Sequence, residues 1–311
     1  MTNPSIPQSP TAPITLDNPS PAWFETAINY PCSSKWVAVE GCRIHYLAWN
    51  TPALTAQSPS ILFVHGGGAH ANWWRFVAPH FSDQFRIAAI DLSGMGDSGT
   101  RETYSAELRA KEMLAVIQDA GFGANTFIIG HSFGGFMTMR FGADHGQHIA
   151  GAIIADTPVR PPDDPPPGRA NRIFNVVRTY ESYEEAVSRF RLIPEQVCAN
   201  DFIVEFIARH SLKKVPGGWV WKFHPASMGA SRWEEPFPEH MKNMRCRTAY
   251  IYGEQSALVG PKQLKFVASL MAPNSPLVGL PEAAHHLMLD QPLGFVSAAR
   301  EIINAWLTPR G

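Results

Sequence analysis

From about residue 35 onward, short apolar runs alternate with longer amphipathic stretches. SKWVAVE and CRIHYLAWN, joined at Glu40-Gly41, predict an antiparallel pair of strands. SILFVHGGG, FRIAAIDLSG, NTFIIGHSFGG and IAGAIIADTP are apolar on successive residues, as strands covered on both faces tend to be. They predict four buried parallel strands. Helical spacing lies between them over residues 71–82, 104–120 and 133–145, with Gly121 closing the second. Strand and helix in alternation imply an α/β fold with a parallel sheet and right-handed crossovers.

The rhythm breaks after Thr157. PVRPPDDPPPGR is too rich in proline for regular structure, and the following stretches carry helical periodicity and many aromatics. These are IFNVVRTYESYEEAVSRFRLI, PEQVCANDFIVEFIARHSL and GGWVWKFHP. Near residue 246 the alternation returns with the strand RTAYIYG, the helix GPKQLKFVASLMA, the short strand SPLVGL and a last helix from about Gly294 to Leu307. The expected organisation is therefore a Pro- and Ser-rich arm (1–30), a sheet core (31–157 and 236–311) and an inserted helical cap (158–235). The arm is expected to be disordered or laid along the surface.

Composition narrows the partners. Across 311 residues, 26 Lys and Arg face 27 Asp and Glu, for a net charge of −1, and no long run of one sign occurs. Nothing here fits a polyanion such as nucleic acid, so the expected ligand is a small molecule. The four cysteines lack metal-ligand spacing and predict free thiols rather than a zinc site. No metal or dinucleotide fingerprint is present, and no cofactor is expected. The N-terminus lacks a basic start and an apolar core, and no apolar run approaches the ~18 residues of a membrane span. A soluble cytoplasmic protein is the expectation, with a homodimer left open.

Two glycine-rich turns carry the candidate chemistry. Gly130-His131-Ser132-Phe133-Gly134 begins where a buried strand ends and a helix pattern starts. In that setting G-x-S-x-G forms an elbow so sharp that small residues must flank a serine held above the strand ends. A tightly packed turn without chemistry is the plainer alternative. His65-Gly66-Gly67-Gly68 ends another buried strand, where glycines let backbone N–H groups approach a ligand. The N–H groups of Gly67 and Phe133 are the candidate oxyanion hole.

With these motifs in place the chain resembles the α/β-hydrolase superfamily. HGGG, IDLSGMGDSG, GHSFGG and AAHHLMLDQP occur in order from residue 35 to the end, with the right strands between them. The resemblance implies an eight-stranded, mostly parallel sheet, a cap over the active site, and a triad in the order nucleophile, acid, histidine. Within PEAAHHLMLDQP it selects His285 as the base, with His286 where an aromatic often stands. Relatives with the acid after the later strand carry Asp where this chain has Ser256 or Ala257, neither of which ionises as a carboxylate. Glu254 comes too early to reach His285. The resemblance allows the acid also at the end of the strand after the elbow helix, which here is Asp156, and a buried charge there needs a partner such as a histidine ring N–H. Asp156 capping the start of the insertion is the alternative. Asp91 and Asp97 are expected to hold the turn after their strand.

Aromatics of the insertion and of the loop after HGGG predict an apolar pocket between cap and core. Trp73, Trp74 and Trp221 are the candidate substrate-binding residues, and the arginines of the insertion, interleaved with acids, are expected to form a solvated face. The leading expectation is a serine hydrolase of a hydrophobic or aromatic carboxylic ester, thioester or lactone, working through an acyl-enzyme. Alternatives are hydrolysis of a carbon–carbon bond in a diketone, a cofactor-free oxygenase, and a ligand-binding member without catalysis. Relatives with an Asp nucleophile, the haloalkane dehalogenases and epoxide hydrolases, are disfavoured because position 132 is Ser.

Overall fold

The computed structural model describes residues 15–49, 51, 53–164, 178–228 and 235–308. Its strands are β1 (Ser33–Val39), β2 (Cys42–Trp49), β3 (Ser60–Val64), β4 (Arg86–Ile90), β5 (Thr126–His131), β6 (Gly151–Ala155), β7 (Leu212–Val215), β8 (Gly218–Trp221), β9 (Arg247–Gly253) and β10 (Leu277–Leu280). Eight of these form one sheet in the order β1-β2-β4-β3-β5-β6-β9-β10. The β1–β2 and β2–β4 pairs are antiparallel and the remaining pairs parallel, as the alternation of strand and helix requires.

Strand alternation divides the core in two. Ile61, Phe63, Phe127, Ile129, Ile153 and Ile251 face one cluster, while Leu62, Val64, Ile128, Ile154 and Tyr250 face the other. Successive side chains of a strand point to opposite faces, so a central strand must be apolar at every position to fill both layers. On the first face lies helix α9 (Pro292–Leu307) with Phe295, Ala299 and Ile303. The second is covered by α2 (Ala106–Asp119) and α3 (Phe133–His145) through Met113, Val116, Met137 and Phe141. The last helix begins at Pro292, two residues before Gly294, because a proline at the first helical position has no N–H to lose.

Residues 71–82 depart from the expected helix. They form two short 3-10 turns, Ala71–Trp74 and Ala78–Phe81. Pro79 removes a donor from any continuous ladder, and Trp74, Phe76 and Phe81 are all buried, so packing on several sides replaces a single apolar stripe. Of the two alternatives for the arm, its described part is laid against the rest of the chain. Its first 14 residues lie outside the described ones, but α1 (Ala22–Ile28) buries Phe24 against Phe76, Phe202 and Phe206. Ahead of it, the N–H groups of Asp17 and Asn18 donate to Glu205 of the insertion.

The insertion is not wholly helical. It contains α4 (Tyr183–Ser188), α5 (Asp201–His210), the antiparallel β7–β8 hairpin and a 3-10 turn, Pro225–Met228. The GGWVW stretch, expected from its periodicity to be helical, is the second hairpin strand. Gly217 and Gly218 adopt φ of 88° and 145°, a turn that L side chains resist, and this local signal overrides the spacing of the aromatics. Residues 165–177 and 229–234, including Phe174, Arg169 and Arg172 of the expected cap, lie outside the described residues. The core resumes at α6 (Phe237–Lys242), where Phe237 packs on Phe136 of α3 with ring centroids 4.5 Å apart. Among the described residues no helix is long and apolar enough to cross a membrane.

Candidate active site

Ser132 stands between β5 and α3 with φ 52° and ψ −115°, a strained conformation that costs about 1–3 kcal/mol and is held by the structure around it. Its N–H donates to the Ala155 carbonyl at 2.8 Å, tying the elbow to β6. The flanking glycines are obligatory: a methyl group on Gly134 would lie 2.5 Å from the carbonyl oxygens of both Val64 and His65. One on Gly130 would lie 2.6 Å from the Gly134 carbonyl oxygen.

Three side chains far apart in the chain meet there. The Ser132 hydroxyl is 2.9 Å from His285 Nε2, and His285 Nδ1 is 2.7 Å from Asp156 Oδ2. Because a carboxylate only accepts, Nδ1 carries the proton and Nε2 is left to accept from the serine. Asp156 is fully buried and itself strained, with φ 43°. Its charge is compensated on every side: Gly253 N–H donates to Oδ1 at 2.9 Å, and the Ser256 hydroxyl donates to Oδ2 at 2.6 Å. Ser256, one of the two positions where an acid after the later strand would be expected, thus supports the carboxylate that follows β6. Sequence reasoning missed this role, although a hydroxyl at the vacated position was a signal for it.

Glu254 is exposed, and its N–H pairs with the Leu280 carbonyl. It takes no part in the cluster. His131, inside the elbow motif, donates from Nε2 to the His285 carbonyl at 2.9 Å and so holds the loop that carries His285. Burial, and then the His285 ring, push its pKa well below 6.5, which keeps it neutral. The rings of His131, His285 and His286 are close enough to share a metal ion, but both nitrogens of His285 are taken by Ser132 and Asp156.

Of the two residues expected to form an oxyanion hole, Gly67 lies in the loop after β3 and Phe133 directly follows Ser132. Phe133 is the first residue of α3, where an N–H has no partner within the helix. The Arg109 guanidinium lies 4.6 Å from the Phe133 ring and donates to the Ser227 carbonyl at 2.6 Å. This buried arginine joins α2, the elbow and the end of the insertion. Met228 covers Gly67, so the insertion reaches the glycine loop directly.

A second Ser-His-Asp arrangement shows why geometry alone does not define a nucleophile. The Ser34 hydroxyl is 2.6 Å from His45 Nε2, and His45 Nδ1 is 2.6 Å from Asp91 Oδ2. Ser34 lies within the extended edge strand β1 and not at a strand-to-helix elbow, where a helix N-terminus supplies converging N–H groups. Asp91 also accepts from the N–H groups of Ala71 and Asp97. Burial would raise its pKa, but His45, His65 and His70 outweigh that and hold it well below the usual carboxylate range. It is the hub of a turn, and Asp97 pairs with Lys222 of the insertion at 2.8 Å.

A cavity of about 340 Å³ separates the glycine loop from the insertion. Gly67, Trp73 and His286 line it from the core, and Phe190, Trp221 and Lys222 from the insertion. Trp74 does not line it. Its ring packs between Phe63 and Phe295, at 4.8 and 6.0 Å, inside the first core cluster, because adjacent residues of the tight turn point in different directions. A larger hollow of about 570 Å³ lies near Arg247 and Pro276, at the N-terminal ends of β9 and β10 and away from the triad.

The model of the alpha/beta hydrolase family matches residues 61–299. The chain belongs to this family. Members with measured likeness include the bifunctional epoxide hydrolase 2 of Mus musculus, 29% identical over 149 residues, which is 45% of this chain and 26% of the mouse protein. The match thus spans about a quarter of that relative's length. A pimeloyl-[acyl-carrier protein] methyl ester esterase of Aeromonas hydrophila is 23% identical over 255 residues, 79% of this chain and 96% of the esterase. Among solved structures, E-2-(acetamidomethylene)succinate hydrolase superposes with a TM-score of 0.74 at 20% identity, covering 88% of this chain and all of the other. That likeness concerns the fold.

Proposed function

We propose that the protein is a serine hydrolase that cleaves a carboxylic ester, or a related thioester or lactone, through an acyl-enzyme. The observation that carries this reading is the unbroken hydrogen-bond chain from Ser132 through His285 to Asp156, with the serine at a strained strand-to-helix elbow. Ser132 Oγ attacks the carbonyl carbon while its proton passes to His285 Nε2. Asp156, holding the Nδ1 proton, stabilises the imidazolium that forms. The Gly67 and Phe133 N–H groups receive the charge on the carbonyl oxygen, which develops where the helix begins. His285 then returns the proton to the leaving oxygen or sulfur. Water repeats the sequence on the acyl-serine and releases the acid.

Epoxide hydrolases are among the relatives, but a serine at position 132 favours acyl transfer over carboxylate attack on an epoxide. The esterase relatives agree with this reading. The cavity, with Trp73 and Trp221 in its walls, fits an apolar group attached to the reacting carbonyl. A fluorophosphonate probe should label the wild type and leave Ser132→Ala unlabelled, and p-nitrophenyl ester hydrolysis should fall by about 10³-fold or more in that variant. A wild type that resists the probe and turns over no ester, thioester or lactone would overturn the reading and leave oxygenase or binding function in its place.

A further inference from the structure

The walls of the 340 Å³ cavity carry an unbalanced charge. Arg178, Arg189, Arg191 and Lys222 all line it, and among the described residues no Asp or Glu does. The chain as a whole has a net charge of −1, so this excess is a property of the site. Two of the four cations are already matched. Lys222 pairs with Asp97 at 2.8 Å, and Arg178 lies 3.8 Å from Glu185 and over the Tyr180 ring.

Arg189 and Arg191 are different. Among the described residues neither forms an ion pair with a carboxylate. Arg191 donates to the carbonyls of Ser188 and Phe190, at 2.9 and 2.6 Å, which fixes its guanidinium without neutralising it. The two arginines stand two residues apart, immediately after α4, with Phe190 between them. On the core side, the one titratable side chain of the lining is His286. Burial first, and then the His285 and His131 rings, push its pKa well below 6.5, so it presents a neutral ring. The cavity therefore has an uncharged wall at the glycine loop, aromatic sides, and two uncompensated guanidinium groups on the insertion.

We propose that the natural substrate carries a carboxylate remote from the scissile carbonyl, and that Arg189 and Arg191 bind it. This rests on the serine hydrolase reading for the reaction, and adds the class of substrate. A guanidinium matches the planar, two-oxygen geometry of a carboxylate, and two of them close together repel each other until an anion lies between them. The cavity volume is at the small end for ligand sites, which fits a short acyl chain with a terminal acid group. The carboxylate anchors one end while the other end lies toward the Gly67 loop and His286, the core wall of the cavity. Both arginines are exposed, so the attraction is screened by salt.

The test compares p-nitrophenyl hexanoate with the mono-p-nitrophenyl ester of adipic acid, which has the same chain length and a free carboxylate. The wild type should favour the adipate ester in kcat/KM by at least about tenfold at about 0.01 M salt, and lose most of that preference at about 0.5 M. In Arg189→Ala/Arg191→Ala the ratio should fall to within about twofold of unity, while the double Lys variant keeps an intermediate ratio. A wild type without preference, or a preference that the double Ala variant retains, overturns the proposal. Calorimetric titration of free adipate into the Ser132→Ala protein separates this from the underlying reading. Adipate binding that the two Arg→Ala changes abolish supports the anion site even where no ester is cleaved. Ester hydrolysis with neither charge preference nor adipate binding overturns the anion site alone.

Discussion

The most demanding residue is Asp156. Its carboxylate is fully buried, and three donors hold it: the His285 ring, the Ser256 hydroxyl and the Gly253 N–H. Replacement by Asn removes the charge and offers an amide that favours the wrong imidazole tautomer. Turnover of a chromogenic ester should then fall by about 10³-fold or more, while Glu254→Gln changes it by less than about twofold. The reverse result would move the acid to the later strand. Ser256→Ala leaves Ser132, His285 and Asp156 in place but removes one of three donors from a buried charge. A loss of about 1–2 kcal/mol of that stabilisation corresponds to a fall of about tenfold in kcat, with little change in KM.

Elements, rather than single contacts, place these residues. The elbow exists because β5, β3 and α3 approach so closely that Gly134 faces two carbonyl oxygens of the neighbouring strand end. Gly134→Ala should destabilise the protein by about 3 kcal/mol or more, measured as the shift of the urea unfolding midpoint, since the clash is with backbone and no rotamer relieves it. The segment that follows the β7–β8 hairpin is one of the insertion's anchors on the core. Phe223 bridges to Met95, Gly96 N–H donates to the Lys222 carbonyl at 2.7 Å, and His224 N–H donates to the Gly94 carbonyl at 2.6 Å. The Lys222–Asp97 pair lies within this seam, and Asp97 is partly solvated. Lys222→Ala should cost about 1–2 kcal/mol, less than the loss of a wholly buried pair. Faster limited proteolysis within residues 178–228 would register it.

At the scale of the whole molecule, buried histidines set the response to acid. Burial lowers the pKa of His65, His70, His131 and His286, and that of His210 to about 4, from the ordinary 6.5. Each is neutral in the folded chain and protonates more readily when unfolded. Between these two values the unfolded state binds more protons, so stability falls as the pH drops, by up to about 1.4 kcal/mol per pH unit for each ring. Thermal midpoints should be level above about pH 7 and decline steeply from about pH 6.5 toward 4. The Asp91 carboxyl, whose pKa is lowered in the folded chain, adds its own loss only at lower pH, where the unfolded chain takes up a proton that the folded one still excludes. A flat profile from pH 7 to 5 would contradict the burial of these rings.

Much of this was legible in the chain. Runs of unbroken apolar residues such as ILFV and FIIG determined that strands would be covered on both faces, because a strand with two buried sides has no polar position to spare. Gly130, Gly134 and the intervening serine determined the elbow, because steric exclusion at a sharp turn acts between near neighbours. Residues 71–82, Trp74 and GGWVW differ from the expectation because helical spacing of aromatics does not say which side is covered, and a proline or a glycine pair decides the backbone locally. Only the tertiary structure brought Ser256 to Asp156, His131 to the His285 carbonyl, and two arginines of the insertion to the cavity opposite Gly67. Those contacts join segments remote in the chain. Their distances depend on how strands are ordered and where the insertion folds back, which no local pattern of residues encodes.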